Sequence, residues 1–277
     1  MAHPLQVIFF CRFSYPGTKN PFQSGPDTVE DRVANLYADT RMRERLFFFK
    51  HITLPALRVQ TDPDFDFVIL IGTAMPARWR NELEELMAGI SQARIVARDP
   101  GPDRKTYSEV LHAHRHPGAR HVAEVRMDDD DAVAVDYVTK LRNLYPSAVR
   151  SRMGLKRVAV DHNCGLLLNA TAPTVTYRPL RAPFWGVALA VIVDPDDSAS
   201  ALDFPHHKIW TRMPVHSRPH PLMFIRGYHE ANDSAIGPSA GIAFEMDDHD
   251  IGEALDERFA IDRDTFQRDW LKHRSKA

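Results

Sequence analysis

The stretch His121-Val-Ala-Glu-Val-Arg-Met-Asp-Asp-Asp-Asp-Ala-Val133 combines an apolar run with four consecutive carboxylates, Asp128 to Asp131. The apolar run predicts a buried strand, so the carboxylates would stand at its carboxyl end, where open α/β sheets bind their ligands. Side chains of an extended strand alternate between its two faces, so Asp128 and Asp130 would point to the same side.

Carboxylates this close together repel one another, and at the end of a buried strand they need a cation. Hard oxygen ligands of this kind suit Mn²⁺ or Mg²⁺, which usually complete an octahedral shell with phosphate and water. The pattern therefore predicts an Asp-x-Asp (DxD) metal site for a nucleotide diphosphate. The alternative is an acidic turn at the positive N-terminus of a following helix, which the pattern predicts over residues 133–144.

The first half of the chain alternates predicted strands with predicted helices. This order indicates an α/β fold with a mostly parallel sheet, flanked by helices and connected by right-handed crossovers. Buried strands are predicted at 6–10, 65–72, 93–97 and 122–127, and helices at 31–38, 41–57, 76–88 and 106–113.

Helical patterns are scarce after Pro146, which we expect to end the helix that follows the aspartates. Short apolar runs predict a more irregular, antiparallel C-terminal half. A charged helical pattern over residues 251–272 follows near the end of the chain. The sequence shows no internal repeat or low-complexity linker, so we expect a single domain over residues 1–277.

The composition excludes several classes of protein. A chain of 277 residues with a net charge of −2 is not a generally basic nucleic-acid binder. Cys11 and Cys164 are too few for a disulfide scaffold, which favours a reducing, cytoplasmic setting. The apolar runs at 7–11 and 187–193 are too short for a signal peptide or a membrane span. Contact with a membrane would therefore be peripheral.

The segment from Phe204 to His229 contains no acidic residue and is rich in cations, which would complement the aspartates. Arginine and lysine could bind the phosphate oxygens of a ligand, and neutral His229 could bind a metal ion. Its prolines predict a loop. The alternative is a solvated basic loop that balances the acidic residues at 245–250. Its lysine and arginines are Lys208, Arg212, Arg218 and Arg226.

Several motifs together resemble a bacterial family of proteins described as rhamnosyltransferases, which are glycosyltransferases with a GT-A-like fold. The likeness covers most of residues 5 to 235. Its most specific parts are the segment from Gln60 through Ile71 and the motif Arg126-Met-Asp-Asp-Asp-Asp-Ala132. The other parts are Arg12-Phe-Ser, the run that begins at Ile52, and a late His229 followed by Asn-Asp-Ser.

The resemblance implies a nucleotide-sugar donor along the carboxyl edge of residues 1–145, and an acceptor side formed by residues 146–277. The acceptor would be a glycan or glycolipid, and Mn²⁺ or Mg²⁺ would neutralise the departing diphosphate. The implied metal ligands are Asp128, Asp130, Asp131 and His229, and the donor-binding candidates are Arg12, Ser14, Lys105, Arg126 and Asp129.

Inversion at the sugar would require a carboxylate base near the acceptor hydroxyl. Asp161, Glu230 and Asp233 are the candidates, and the pattern does not choose between them. No glutamate occurs near Pro183-Phe-Trp-Gly-Val-Ala-Leu189, where the resemblance implies one. A metal-dependent phosphohydrolase, or a sugar- or nucleotide-binding protein without activity, are the alternative functions.

Overall fold

A computed structural model describes residues 4–18, 28–230 and 240–275. In this part the chain forms two β-sheets flanked by α-helices. The strands are β1 (Leu5–Arg12), β2 (Asp66–Gly72), β3 (Ala93–Arg98), β4 (His121–Met127), β5 (Ala132–Val133), β6 (Val158–His162), β7 (Cys164–Asn169), β8 (Thr176–Arg181), β9 (Leu189–Val193), β10 (Val215–Arg218), β11 (Phe224–Tyr228) and β12 (Ile242–Ala243). The α-helices are α1 (Val29–Leu36), α2 (Asp39–Phe48), α3 (Leu54–Arg58), α4 (Ala77–Met87), α5 (Asp103–His114), α6 (Tyr137–Arg150), α7 (Asp248–Phe259) and α8 (Arg263–Arg274).

The larger sheet has seven strands in the order β10-β6-β9-β4-β1-β2-β3. Strand β1 is parallel to β2 and β4, and β2 is parallel to β3, which confirms the predicted parallel α/β arrangement. Cys11 pairs with Met127, so β1 and β4 end at the same edge. Arg12 and Asp128 are therefore neighbours at the carboxyl edge of this sheet.

Strand β9 runs antiparallel between β4 and β6. Val125 and Val160 both pair with Ala190, so the residues that follow them, Arg126 and Asp161, stand at the same level of the sheet. One strand separates them, which corresponds to about 10 Å. The carboxyl edge thus extends from Arg12 past the aspartates to Asp161.

The smaller sheet has the order β12-β8-β7-β11-β5 and mixes parallel with antiparallel pairs. Strand β5 follows the four aspartates directly, and it pairs with β11 through Ala132–Ile225 and Val133–Phe224. This short ladder brings the end of β11, and with it His229, to the aspartates.

The segment from Phe204 to His229 is not a loop, contrary to the sequence-based prediction. Strand β10 lies at the edge of the larger sheet, and β11 is an interior strand of the smaller one. The prediction was wrong because the prolines of the segment lie outside its two strands, and because both strands are short. Only Phe224 and Ile225, which are fully buried, give β11 an apolar signal.

The helix after the aspartates also differs from its prediction. It begins at Tyr137 instead of 133, after the short β5, and it continues through Pro146 to Arg150. An internal proline costs a helix about 3 kcal/mol. Tyr145 and Ala148 are buried on either side of Pro146, so packing of this face against the core offsets that cost.

Two other helical predictions need correction in detail. Helix α2 passes through a π-helical turn, Phe49–Thr53, into α3, whose first turn contains Pro55. The pattern predicted over 251–272 forms two helices, α7 and α8, because Ala260 ends α7 in a left-handed conformation with φ of 54°. Among the described residues, no helix is long and apolar enough to cross a membrane.

Candidate active site

The ends of β1 and β4 form the first part of the site. Arg12 Nη2 lies 3.5 Å from Asp128 Oδ1, and Arg126 Nη2 lies 3.0 Å from Asp128 Oδ2. Tyr107 on α5 supports Arg12, since its hydroxyl accepts a hydrogen bond of 3.4 Å and its ring lies under the guanidinium. Asp128 is therefore held between two arginines at the carboxyl edge.

The four aspartates form a turn instead of an extended segment, which contradicts the expected strand-like alternation. The amide of Asp131 donates to the carbonyl of Asp128 at 3.3 Å. Each carboxylate consequently meets its own partners. These are Arg45 for Asp129 at 2.7 Å, His229 for Asp130 at 3.1 Å, and Arg226 for Asp131 at 3.8 Å. The aspartates also do not cap α6, whose N-cap is Asp136.

Gly227 allows this turn to pack against β11. A Cβ atom at this position would lie 2.6 Å from the carbonyl oxygen of Asp130, which is closer than real Cβ atoms approach. The amide of Gly227 donates to Asp131 Oδ1 at 3.3 Å. The absence of a side chain thus brings β11 close to the aspartates, two residues before His229.

Electrostatics divides the four aspartates into two pairs. Burial alone would raise the pKa of Asp128, but Arg126, Arg12 and Arg226 outweigh it and hold that pKa below its ordinary value. Asp130 also has a lowered pKa, because its hydrogen bond and ion pair with His229 outweigh burial.

The other two aspartates have raised pKa values. Burial is the main cause for both, and the neighbouring aspartates add to it; Asp129 reaches about 6 and Asp131 lies well above its ordinary value. Asp128 and Asp130, the two residues predicted as Asp-x-Asp ligands, are therefore the two that ionise most readily.

His229 is buried, and carboxylates lie at both nitrogens of its ring. Nε2 lies 3.1 Å from Asp130 Oδ2, and Nδ1 lies 2.8 Å from Glu44 Oε1 on α2. The ring of Phe48 stacks on the imidazole at a centroid distance of 4.3 Å. Burial alone would lower the pKa of His229, but Asp130 and Glu44 raise it to about 9.

Helix α2 therefore supplies contacts to the candidate site residues that sequence reasoning missed. Glu44 and Arg45 are adjacent in the sequence, and they reach His229 and Asp129 respectively. Nothing in the pattern distinguishes them from the other charged residues of a surface helix.

Of the remaining donor-binding candidates, Ser14 is buried and Lys105 is exposed. Ser14 follows β1 with φ of 51°; its hydroxyl is buried and has no hydrogen-bond partner among the described residues. Lys105 lies on the solvent side of α5, where its ammonium is 3.8 Å from Glu109. The structure thus brings Ser14 close behind Arg12 in the core, and it leaves Lys105 on the surface.

Asp161 lies at the carboxyl edge and fixes the loop between β8 and β9. Its carboxylate accepts hydrogen bonds from the amide of Phe184 at 3.2 Å and from the hydroxyl of Ser217 at 3.1 Å. Burial raises the pKa of Asp161 to about 6. The loop it holds has positive φ at Phe184, Gly186 and Ala188, and such backbone strain is concentrated at functional sites.

The other two candidate bases are Glu230 and Asp233. Glu230 directly follows His229; its side chain is 68% exposed and lies 3.9 Å from Arg274. Asp233 lies outside the described residues.

Two of the predicted metal ligands are placed to share a divalent cation, whereas a third, Asp128, is paired with arginines. Asp130 and His229 present an oxygen and a nitrogen to each other across 3.1 Å, which is a pair that a single ion could bridge. Asp128 is engaged by its arginines. Among the described residues, the only three ligating groups within 4.8 Å of one another are Asp247, His249 and Asp250, which are exposed at the start of α7.

A cavity of about 830 Å³ borders α2, and none of the four aspartates lines it. Its walls come mainly from α2 and α4 and include Glu44, Glu82 and, from α8, His273. Glu44 thus lines this cavity and also contacts His229.

Comparison with solved structures finds likenesses of low sequence identity. The chain is similar to S. aureus TarS 1–349 in complex with UDP-GlcNAc, with 10% identity, a TM-score of 0.44, and coverage of 82% of this chain and 60% of that one. It is also similar to the same protein in complex with UDP, at 9% identity, a TM-score of 0.43 and coverage of 80% and 60%. A third likeness is to 4-diphosphocytidyl-2C-methyl-D-erythritol synthase from Anaerococcus prevotii, at 9% identity, a TM-score of 0.34 and coverage of 90% and 94%.

The chain thus spans about 60% of the length of that TarS chain. A search of curated proteins found no match. A family model described as "Putative rhamnosyl transferase" matches residues 6–240, which include Arg12, the four aspartates and His229. The chain belongs to this family.

Proposed function

We propose that this chain transfers a sugar from a nucleotide-diphosphate donor to a glycan or glycolipid acceptor, with Mn²⁺ or Mg²⁺ at the carboxyl edge of the larger sheet. One observation carries the proposal. Asp130 and His229 lie 99 residues apart in the sequence, and the fold brings their side chains to 3.1 Å. A carboxylate and an imidazole held together at this edge are suited to a shared divalent ion.

The arginines around Asp128 are suited to the diphosphate. A guanidinium can donate two parallel hydrogen bonds either to a carboxylate or to the oxygens of a phosphate. When a diphosphate binds Arg12 and Arg126, Asp128 becomes available to a cation. The metal ion and the diphosphate should therefore bind more tightly together than either does alone.

The residues of the chain have distinct roles in this proposal. Asp128, Asp130 and His229 would hold the metal ion, with Asp131 in support, and the ion would neutralise charge on the departing diphosphate. The arginines orient the diphosphate, and buried Asp129 fixes the turn through Arg45. Catalysis then depends mainly on positioning and electrostatics.

For an inverting reaction we favour Asp161 as the base among the three candidates. It lies at the carboxyl edge, and its pKa of about 6 is close to what a general base needs near neutral pH. Glu230 and Asp233 are the alternatives.

We further propose that the enzyme works in the cytoplasm, where its acceptor would be presented at a membrane surface. Cys11 and Cys164 are both free and buried, which is compatible with a reducing compartment.

Thermal denaturation with a panel of nucleoside diphosphates tests the donor site. UDP, GDP, CDP, ADP and dTDP are compared with MnCl₂ and with EDTA, and one of them should raise the melting temperature only when Mn²⁺ is present. A ligand at 100 times its dissociation constant stabilises the folded state by about 2.7 kcal/mol. Asp130→Asn should lose this effect, whereas Asp256→Asn, which alters an exposed carboxylate of α7, should keep it.

The products separate this proposal from its alternatives. A transferase consumes a nucleotide sugar and releases the nucleoside diphosphate, while a phosphohydrolase releases inorganic phosphate. An inactive binding protein would be stabilised by the diphosphate and would consume no donor. Equal stabilisation of the wild type and Asp130→Asn by every diphosphate would contradict the proposed site.

A further inference from the structure

Helix α2 holds the imidazole of His229 by two residues one helical turn apart. Glu44 Oε1 lies 2.8 Å from Nδ1, and the ring of Phe48 stacks on the imidazole with an interplanar angle of 19°. Residues at i and i+4 lie on the same face of a helix. The ion pair therefore restrains the rotation of the ring, and the stacking restrains its plane.

The face of α2 that makes these contacts is itself fixed from both sides. Trp270 of α8 packs against Phe48 with ring centroids 5.3 Å apart. Arg45, the residue after Glu44, forms an ion pair with Asp129 at 2.7 Å. Glu44 consequently has little freedom to follow His229 if the imidazole turns. Its side chain is 22% exposed and lines the cavity that borders α2.

The arrangement at the two ring nitrogens has a chemical consequence. An imidazole can bind a metal ion only through a nitrogen that carries no proton, and the other nitrogen then carries one. A carboxylate that accepts the second N–H fixes which nitrogen is free, and it also makes that nitrogen a stronger ligand. With Glu44 at Nδ1, Nε2 is the nitrogen that gives up its proton when a metal ion binds, and Nε2 is the one that faces Asp130.

We infer that Glu44 is a positioning residue, which accepts the Nδ1–H of His229 so that Nε2 and Asp130 present a nitrogen and an oxygen to one divalent cation. The inference rests on the proposed function, because it assigns Glu44 a role at the proposed metal site. Phe48 contributes by keeping the ring in the plane that points Nε2 toward Asp130.

Titration of the full chain with Mn²⁺ alone, followed by electron paramagnetic resonance of the free ion, tests this inference. Loss of such a carboxylate partner typically lowers metal affinity by about 10- to 100-fold. Glu44→Ala should show a loss in this range, and Glu44→Gln, which keeps an acceptor oxygen, should recover part of it. Glu82→Ala is the matched control, since Glu82 lines the same cavity and should bind Mn²⁺ like the wild type.

A second measurement reports the ring directly. Long-range ¹H–¹⁵N correlation spectra of the Mg²⁺-loaded protein identify the nitrogen of His229 that carries the proton. We expect Nδ1 to be protonated in the wild type, and a mixture of both tautomers in Glu44→Ala. Melting temperatures of all variants establish that they are folded, and Glu44→Gln, which is nearly identical in shape, keeps the test valid if Glu44→Ala does not fold.

The outcomes separate the inference from the proposed function. If Asp130→Asn loses Mn²⁺ binding while both Glu44 variants bind it like the wild type, the role of Glu44 is refuted and the metal site stands. If the wild type binds no Mn²⁺, both are overturned. A loss confined to the Glu44 and Asp130 variants, with the tautomer changed in Glu44→Ala, supports the inference.

Discussion

Replacement of Arg45 by methionine should leave a buried carboxylate without its cation. Arg45 Nε lies 2.7 Å from Asp129 Oδ2, and the side chains of the pair are only 11% and 1% exposed. The other oxygen, Oδ1, has no hydrogen-bond partner among the described residues. Removal of one partner of a buried ion pair costs about 3–5 kcal/mol, because the remaining charge is uncompensated. Methionine retains most of the packing of the arginine stem, so the loss reports the charge.

The effect of Arg45→Met on stability should depend on pH, because it depends on the ionisation of Asp129. The pKa of Asp129 is already raised to about 6, so the carboxyl destabilises the folded state as it ionises, and stability falls as the pH rises from about 4 through 6. Without Arg45 the pKa should rise further. The difference between the wild type and Arg45→Met should therefore be small at pH 4.5, where Asp129 is protonated in both, and largest at pH 8.

Urea denaturation followed by tryptophan fluorescence at pH 4.5 and pH 8 measures the effect. Arg43→Met, an exposed substitution on the same helix, should change the free energy of unfolding by no more than about 0.5 kcal/mol. Asp129→Asn in the Arg45→Met background should restore much of the stability, because it removes the buried charge. A loss below about 1 kcal/mol at pH 8, or an equal loss at both pH values, would refute the reasoning.

Three further predictions follow from the contacts of the site. In the metal-free protein, protonated His229 should stabilise the fold fully below pH 6.5, and this contribution should be lost as the pH rises through about 9. In urea denaturation over this pH range, the free energy of unfolding of the wild type should fall by up to about 3 kcal/mol more than that of His229→Gln. Gly227→Ala should cost about 1–3 kcal/mol, since its Cβ would collide with the carbonyl of Asp130, and calorimetry should show a lower melting temperature. Asp161→Asn should abolish sugar transfer while the Mn²⁺-dependent stabilisation by the diphosphate persists, and unchanged turnover would exclude Asp161 as the base.

Much of the fold could be predicted because its decisive signals are local. The parallel strands β1 to β4 are continuous apolar runs with helical patterns between them, and each was found within a few residues of its position. The failures occurred where packing overrides a local rule. Pro146 lies inside a helix because the buried face of α6 continues past it, and β11 is too short to stand out among prolines and histidines.

The site could be predicted only in part, for the same reason. Asp128 and His229 could be singled out as candidates because their residue types are unusual in their surroundings. Glu44 and Arg45 were not, since a charged pair on a helix is ordinary, and their roles depend on contacts with residues 84 or more positions away. The pairing of each aspartate with a different partner likewise depends on the turn that Gly227 permits.

The two-pair ladder between β5 and β11 has a consequence for how such a chain can change during evolution. Ile225 pairs with Ala132, so the spacing from Asp130 to Ala132 and the spacing from Ile225 to His229 together set where the imidazole arrives. One inserted residue in either spacing would displace it by about 3.3 Å and turn it to the opposite face. Insertions in connections outside the ladder should therefore be tolerated during evolution, whereas the lengths of these two spacings should be kept together.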